Sequence, residues 1–212
     1  MSLAAYRHLF VPATDPAAPP LLLLHGTGGT ERDLVPLVQS LSPGSALLAP
    51  RGDVLENGAP RFFRRFAEGV FDLADVRRRT GALADFVAAA AEHYGFDRAR
   101  LMALGYSNGA NIGATLLLLR PETLGGAMLF RAMVVLDVAP PAAALAGRRI
   151  LLVNGSRDPI VPPDHPPRLA ALFRTGGAAV TLQITHASHG LEPDDLAAAA
   201  RWLAPPPQAR AD

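Results

Sequence analysis

Cysteine is absent from the 212 residues, and so is lysine, because all 20 basic residues are arginine. The first absence excludes disulfide frameworks, thiolate zinc sites, iron–sulfur clusters and cysteine nucleophiles. The second excludes a Schiff-base lysine, a phosphate-loop lysine and a Ser–Lys dyad. Aromatic residues are sparse, at 6%. An excess of one charge is also missing: 19 acids balance the arginines to a formal net charge of +1. The basic runs Arg64-Arg65 and Arg77-Arg78-Arg79 are short, so nucleic acid is not an expected partner. Long apolar runs are lacking too. The longest near the start, Leu21–Leu24, cannot serve as a signal-peptide core or a membrane span. Stable membrane insertion is not expected, and the default location is cytoplasmic.

What is present is a chain with 50% hydrophobic residues and the length of one domain. Short, continuously apolar runs recur at 21–24, 46–49, 101–104, 128–136 and 150–153, the mark of strands buried on both faces. Residues 6–11 read as an edge strand, and 180–185 as a half-covered strand with Val180, Leu182 and Ile184 on one side. Residues 12–20 hold four prolines and read as a loop. Helical patterns lie between the strands at 34–41, 72–94, 108–120, 166–175 and 193–203. Asp72 suits the N-cap of the long helix and Gly95 its stop, while Gly81 inside it suggests close packing on the sheet. Pro36 fits a first helical turn if Asp33 is the cap. Strands alternating with helices give an α/β class with a mostly parallel sheet of about seven or eight strands and helices on both faces. The chain reads as one domain over 1–204, with a Pro-rich tail at 205–212 expected to be disordered.

The strongest chemical signal is Gly105-Tyr106-Ser107-Asn108-Gly109, between a buried strand and an apolar helix. In such an elbow the serine hydroxyl is lifted above the sheet, and side chains two residues before and after would collide with the turn. A serine nucleophile needs a base, and the base needs an orienting acid. Of the six histidines, His186 and His189 follow the last strand, late enough for the chain order Ser, acid, His. His189, beside Gly190 on an open loop, is the expected base, with His186 supporting the loop. His25 should tie down the Gly-rich loop, and His165 should be solvated. Asp158 emerges at the end of the strand at 150–153 and is the expected acid, ahead of Asp137 and Asp164. His25-Gly26-Thr27-Gly28-Gly29 follows the first central strand, where a turn can aim a backbone N–H at a carbonyl oxygen. Thr27 and Asn108 are therefore the expected main-chain oxyanion donors. Glu31 stands where a dinucleotide loop needs its third glycine, so phosphate binding is set aside. No cofactor and no metal site is expected.

Leu24-His25-Gly26-Thr27-Gly28-Gly29, Phe62-Phe63-Arg64-Arg65-Phe66, Gly105-Tyr106-Ser107-Asn108-Gly109-Ala110-Asn111 and Gly155-Ser156-Arg157-Asp158-Pro159-Ile160-Val161-Pro162 together resemble the phospholipase/carboxylesterase family of α/β-hydrolases, small esterases related to acyl-protein thioesterases. The resemblance covers roughly residues 20 to 203. It implies a single-domain α/β-hydrolase fold without a cap domain, and hydrolysis of carboxylic esters or thioesters with Ser107, Asp158 and His189 as a triad. The Phe-rich motif is similar to that of a bacterial carboxylesterase subgroup. Asn108 departs from the glutamine usual in the thioesterases, which keeps the backbone donor but weakens the implication of palmitoyl-protein substrates.

The expected function is a serine hydrolase cleaving small-molecule esters of short to medium acyl chain through an acyl-enzyme. A thioesterase, lysophospholipase or peptidase on the same triad, or a non-catalytic binder, stands as the alternative. Phe62, Phe63, Phe66 and Phe71 cluster between a strand and the long helix, where they either line the acyl or alcohol pocket or anchor a long loop. A homodimer is left open.

Overall fold

The computed structural model describes residues 3–203. Its elements run β1 (His8–Val11), β2 (Leu21–Leu24), α1 (Val35–Leu41) and β3 (Leu47–Pro50), then two small hairpins, β4 (Val54–Glu56) with β5 (Ala59–Arg61) and β6 (Arg65–Ala67) with β7 (Val70–Phe71). They continue through α2 (Leu73–Tyr94), β8 (Met102–Tyr106), α3 (Asn108–Leu119), β9 (Gly126–Phe130), β10 (Arg149–Gly155), α4 (His165–Thr175), β11 (Ala179–Thr185) and α5 (Pro193–Leu203). Seven strands form one sheet in the order β1-β3-β2-β8-β9-β10-β11, parallel except for the antiparallel β1–β3 pair.

Helical crossovers cover both faces of a parallel sheet, so its strands need apolar side chains on both sides. Leu21–Leu24 meets that demand with four buried residues. Leu22 and Leu24 join Ala103, Leu129 and Leu152 against α2, α3 and α4. Leu21 and Leu23 join Leu104, Met128, Leu151 and Val153 against α1 and α5. The edge strand β11 is only half covered: Val180 and Leu182 pack on the core, but Ile184 stands out into solvent.

The helix α2 starts where Asp72 accepts a hydrogen bond from the Asp75 N–H at 3.1 Å, and it stops at Gly95, whose φ is 75°. Val76, Thr80, Leu83, Val87 and Ala90 form its buried face. The Thr80 and Thr115 hydroxyls meet at 2.9 Å and join α2 to α3. Gly81 is not a packing residue: a Cβ there would meet nothing within 4 Å.

Two other expectations are corrected. Asp33 does not cap α1; Leu34 holds the cap position without a side-chain bond, because the Asp33 carboxylate accepts from the Thr30 hydroxyl at 2.6 Å. The apolar run at 128–136 is a strand only as far as Phe130. Arg131 has a φ of +59° and turns the chain away, so residues 131–136 stay buried without joining the sheet. Among the described residues no helix is long and apolar enough to cross a membrane. The tail at 205–212 lies outside the described residues.

Candidate active site

In an open α/β sheet the crevice forms where strand order reverses, at the carboxyl ends of the strands. Here the reversal lies between β2 and β8, which pair directly. The loop after β2 and the elbow after β8 therefore face each other.

Ser107 sits at φ 52° and ψ −114°, at the cap position of α3. A positive φ in a side-chain-bearing residue stores about 1–3 kcal/mol. The surroundings enforce it. A Cβ on Gly105 would lie 2.7 Å from the Gly109 carbonyl oxygen, and one on Gly109 would lie 1.9 Å from that of Leu24. Both glycines are thus required by close backbone approach rather than by turn propensity alone. The Ser107 N–H is fixed to the Phe130 carbonyl at 2.9 Å.

The loops after β8, β10 and β11 bring Ser107, Asp158 and His189 into one series. His189 Nδ1 lies 2.8 Å from Asp158 Oδ2, and Nε2 lies 2.9 Å from Ser107 Oγ. An ionised carboxylate only accepts, so Nδ1 carries the proton and Nε2 is left to accept from the serine hydroxyl. Asp158 is almost fully buried, at 1% side-chain exposure, and its Oδ1 accepts from the N–H groups of Ile160 and Val161 at 2.8 and 3.2 Å. Its competitors lie apart from this series: Asp137 and Asp164 both pair with Arg168. His186 is exposed, and its carbonyl accepts from Arg157 at 3.1 Å. His165 is half-buried rather than solvated, with Nδ1 accepting from the Val134 N–H at 3.2 Å.

Arg131 carries no signal in the sequence. Fully buried, its guanidinium pairs with the equally buried Asp195 at 2.5 Å. It also donates to the carbonyls of Ser188 (2.9 Å), His189 (3.2 Å) and Gly190 (2.7 Å), so it grips three consecutive residues of the histidine loop. Tyr106 adds a fourth hydrogen bond, its hydroxyl 3.1 Å from the His189 carbonyl. Burial raises the Tyr106 pKa, so the hydroxyl keeps its proton and can donate. Asp195 in turn accepts from the Thr185 hydroxyl at 2.6 Å and from the Glu192 N–H at 2.8 Å. Burial pushes its pKa up, but these partners outweigh that and hold it below the usual carboxylate value.

The glycine-rich loop after β2 is anchored by His25. Burial lowers its pKa, and the neutral ring accepts from the Gly52 N–H at 2.9 Å through Nε2 and donates through Nδ1 to the Gly26 carbonyl at 2.6 Å. Thr27 and Asn108 both line a cavity of about 210 Å³ that also opens onto Ser107 and His189. Asn108 is the first residue of α3, where a backbone N–H has no partner within the helix. The Asn108 side chain is itself structural, because its Oδ1 accepts from the Phe62 N–H at 2.8 Å.

The phenylalanine expectation is mostly overturned. Phe71 alone of the four lines the cavity. Phe62 and Phe63 are core residues, 1% and 0% exposed, with Phe62 against the His25 ring. Phe66 is 71% exposed at the β6–β7 hairpin. Arg61, Arg65, Asn111 and Met133 occupy the cavity wall instead. A larger, open depression of about 910 Å³ involves Glu92, Arg98 and Glu122, beside the amino end of β8 and so across the sheet from Ser107. Among the described residues no group of three or more His, Asp or Glu is placed to hold a metal ion.

The chain matches the family model for Phospholipase/Carboxylesterase over residues 8–205. It is 40% identical over 197 residues to MhqD of Bacillus subtilis (strain 168), a protein named as a hydrolase, with 92% of this chain and 96% of MhqD covered. Superposition on the crystal structure of the Bacillus cereus carboxylesterase gives a TM-score of 0.87 at 42% identity, over 93% of this chain and 92% of that one. The carboxylesterase from Mesorhizobium loti gives 0.88 at 35% identity, over 95% and 96%. With its fold, its elbow and its matched length agreeing, this chain belongs to the phospholipase/carboxylesterase family of α/β-hydrolases.

Proposed function

We propose that the protein is a carboxylesterase acting on small esters. The observation that carries this reading is the hydrogen-bonded series from Ser107 Oγ through His189 to Asp158. His189 Nε2 takes the serine proton as Oγ adds to the ester carbonyl. The N–H groups of Thr27 and Asn108 receive the negative oxygen, and Asp158 stabilises the imidazolium. His189 then gives the proton to the departing alcohol, leaving an acyl-serine. Water, deprotonated by the same nitrogen, adds to that acyl group and releases the acid and free Ser107.

Two further observations favour catalysis over mere binding: the strained φ at Ser107 and the number of donors fixing the histidine loop. The cavity volume, about 210 Å³, is below the roughly 300–1,000 Å³ of drug-sized ligand sites, which favours short acyl groups. A cytoplasmic location belongs to the same proposal. The direct test is labelling with a fluorophosphonate probe alongside turnover of a short-chain aryl ester. The wild type should label and turn over, and Ser107→Ala should lose both while its melting curve stays cooperative. Full turnover by Ser107→Ala would remove the serine from the mechanism.

A further inference from the structure

Of the four phenylalanines expected to line an apolar acyl groove only Phe71 reaches the cavity, beside Met133 and Ile160, and the places expected for Phe62, Phe63 and Phe66 are not theirs. Guanidinium groups stand there instead. Arg65 donates through Nε to both carboxylate oxygens of Glu56 at 3.0 Å, and Arg61 lies 3.1 Å from the same carboxylate. Two cations thus share one anion, and the triple carries one uncompensated positive charge. Arg61 is 2% exposed, donating also to the Thr27 hydroxyl at 2.7 Å. Burial first, and Arg65 beside it second, lower its pKa to about 10, so it is still a cation at neutral pH. Desolvated charge of this kind is stabilised by an incoming anion.

A second, independent observation lies in the same wall. Asn108 is 2% exposed and lines the cavity, yet its Nδ2 is buried with no hydrogen-bond acceptor among the described residues. A buried donor left unpaired is costly, and a ligand oxygen would satisfy it. The opposing group is Glu68, an exposed carboxylate at the hairpin rim of the cavity. Its exposure lets solvent and salt screen it more than they screen Arg61.

We propose that this cavity selects esters whose acyl part carries a second, ionised carboxyl group, received by Arg65 with Arg61 behind it and by the Asn108 amide. The proposal rests on the esterase reading. It deepens that reading by naming the substrate class: half-esters of short dicarboxylic acids. Arg65 lines the cavity with its Nε and Nη2 on Glu56, so an incoming carboxylate would share that guanidinium with Glu56, and the small cavity limits the spacer between the two acyl carbons.

Methanol release from monomethyl glutarate and from methyl pentanoate tests it, because the pair differs only in carboxylate against methyl at the far end. In low salt the wild type should favour the half-ester in kcat/KM by about tenfold or more, chiefly through KM. Added salt should shrink the ratio. Arg65→Gln should cut the ratio by about fivefold or more, and Glu68→Gln should raise it. Equal turnover of the two esters by the wild type overturns the proposal and leaves the esterase standing. So does a ratio unmoved by Arg65→Gln, or fluorophosphonate labelling without turnover of the half-ester. If neither ester is cleaved and no labelling occurs, the esterase reading fails, and the anion site falls with it.

Discussion

In the proposed mechanism Ser107, His189 and Asp158 each depend on neighbours that do no chemistry. Gly105 and Gly109 admit the serine's backbone, and the N–H groups of Ile160 and Val161 aim the carboxylate. Because the imidazole works only in the tautomer with Nδ1 protonated, loss of either histidine partner should be severe. His189→Ala is expected to lower kcat by about 10⁴ or more, and Asp158→Asn by a similar factor through the wrong tautomer. His186→Ala should stay within about threefold, since only its main chain is engaged. A large loss in His186→Ala with a small one in His189→Ala would exchange their roles. The three residues of the proposed triad could be singled out in the sequence because each follows a strand, and position after a strand is local information. Arg131 could not. Its partner Asp195 is 64 residues away, and an aspartate in the first turn of a helix already has a local explanation in the helix dipole.

At the scale of elements, the histidine loop is a strap between β11 and α5, and three of its consecutive carbonyls, from Ser188 to Gly190, turn toward one cation. Two effects of that cation can be separated. Arg131→Met leaves Asp195 buried and unpaired and should cost about 3–5 kcal/mol in denaturant unfolding. Replacing both, as Arg131→Met with Asp195→Leu, should restore much of the stability but not kcat, because the loop carbonyls still lack their donor. Recovery of both quantities would make the pair purely structural. Asp195 also sets an acid limit. Its pKa in the folded protein lies below its ordinary value, so its stabilisation is complete above about pH 4 and is lost as pH falls through the lower, folded value. Melting temperature followed from pH 6 to 3 should fall less steeply in Asp195→Asn than in the wild type. Elements with a strict apolar period, such as α2 and the buried strands, were readable from composition. The hairpins β4–β5 and β6–β7 were not, because strands of two or three residues carry no period. Glu56 bridges Arg61 and Arg65 across the two ribbons, a contact no window of sequence reveals.

The whole molecule has a seven-stranded sheet and, among the described residues, nothing that folds over its carboxyl edge as a cap. The proposed triad is reached directly from solvent, with the His189 side chain 19% exposed. An enzyme so built should show no jump in rate when its substrate forms micelles. Aryl esters of increasing acyl length, assayed below and above micelle formation, should give a smooth decline once the cavity is filled. A step at the micellar threshold would mean a moving cover. The cavity wall has a different origin from the machinery it faces. Serine, histidine and acid are fixed by the sheet, whereas Arg61, Arg65, Glu68 and Phe71 come from the two hairpins between β3 and α2. Much of the proposed selectivity is therefore housed in a short stretch apart from the core loops that carry the proposed chemistry, with Asn108 common to both. The rim of that stretch, Arg65 and Glu68, forms a replaceable faceplate: with Phe62 and Phe63 left in the core, exchanging those two side chains should change which acids are accepted while the engine behind them runs as before.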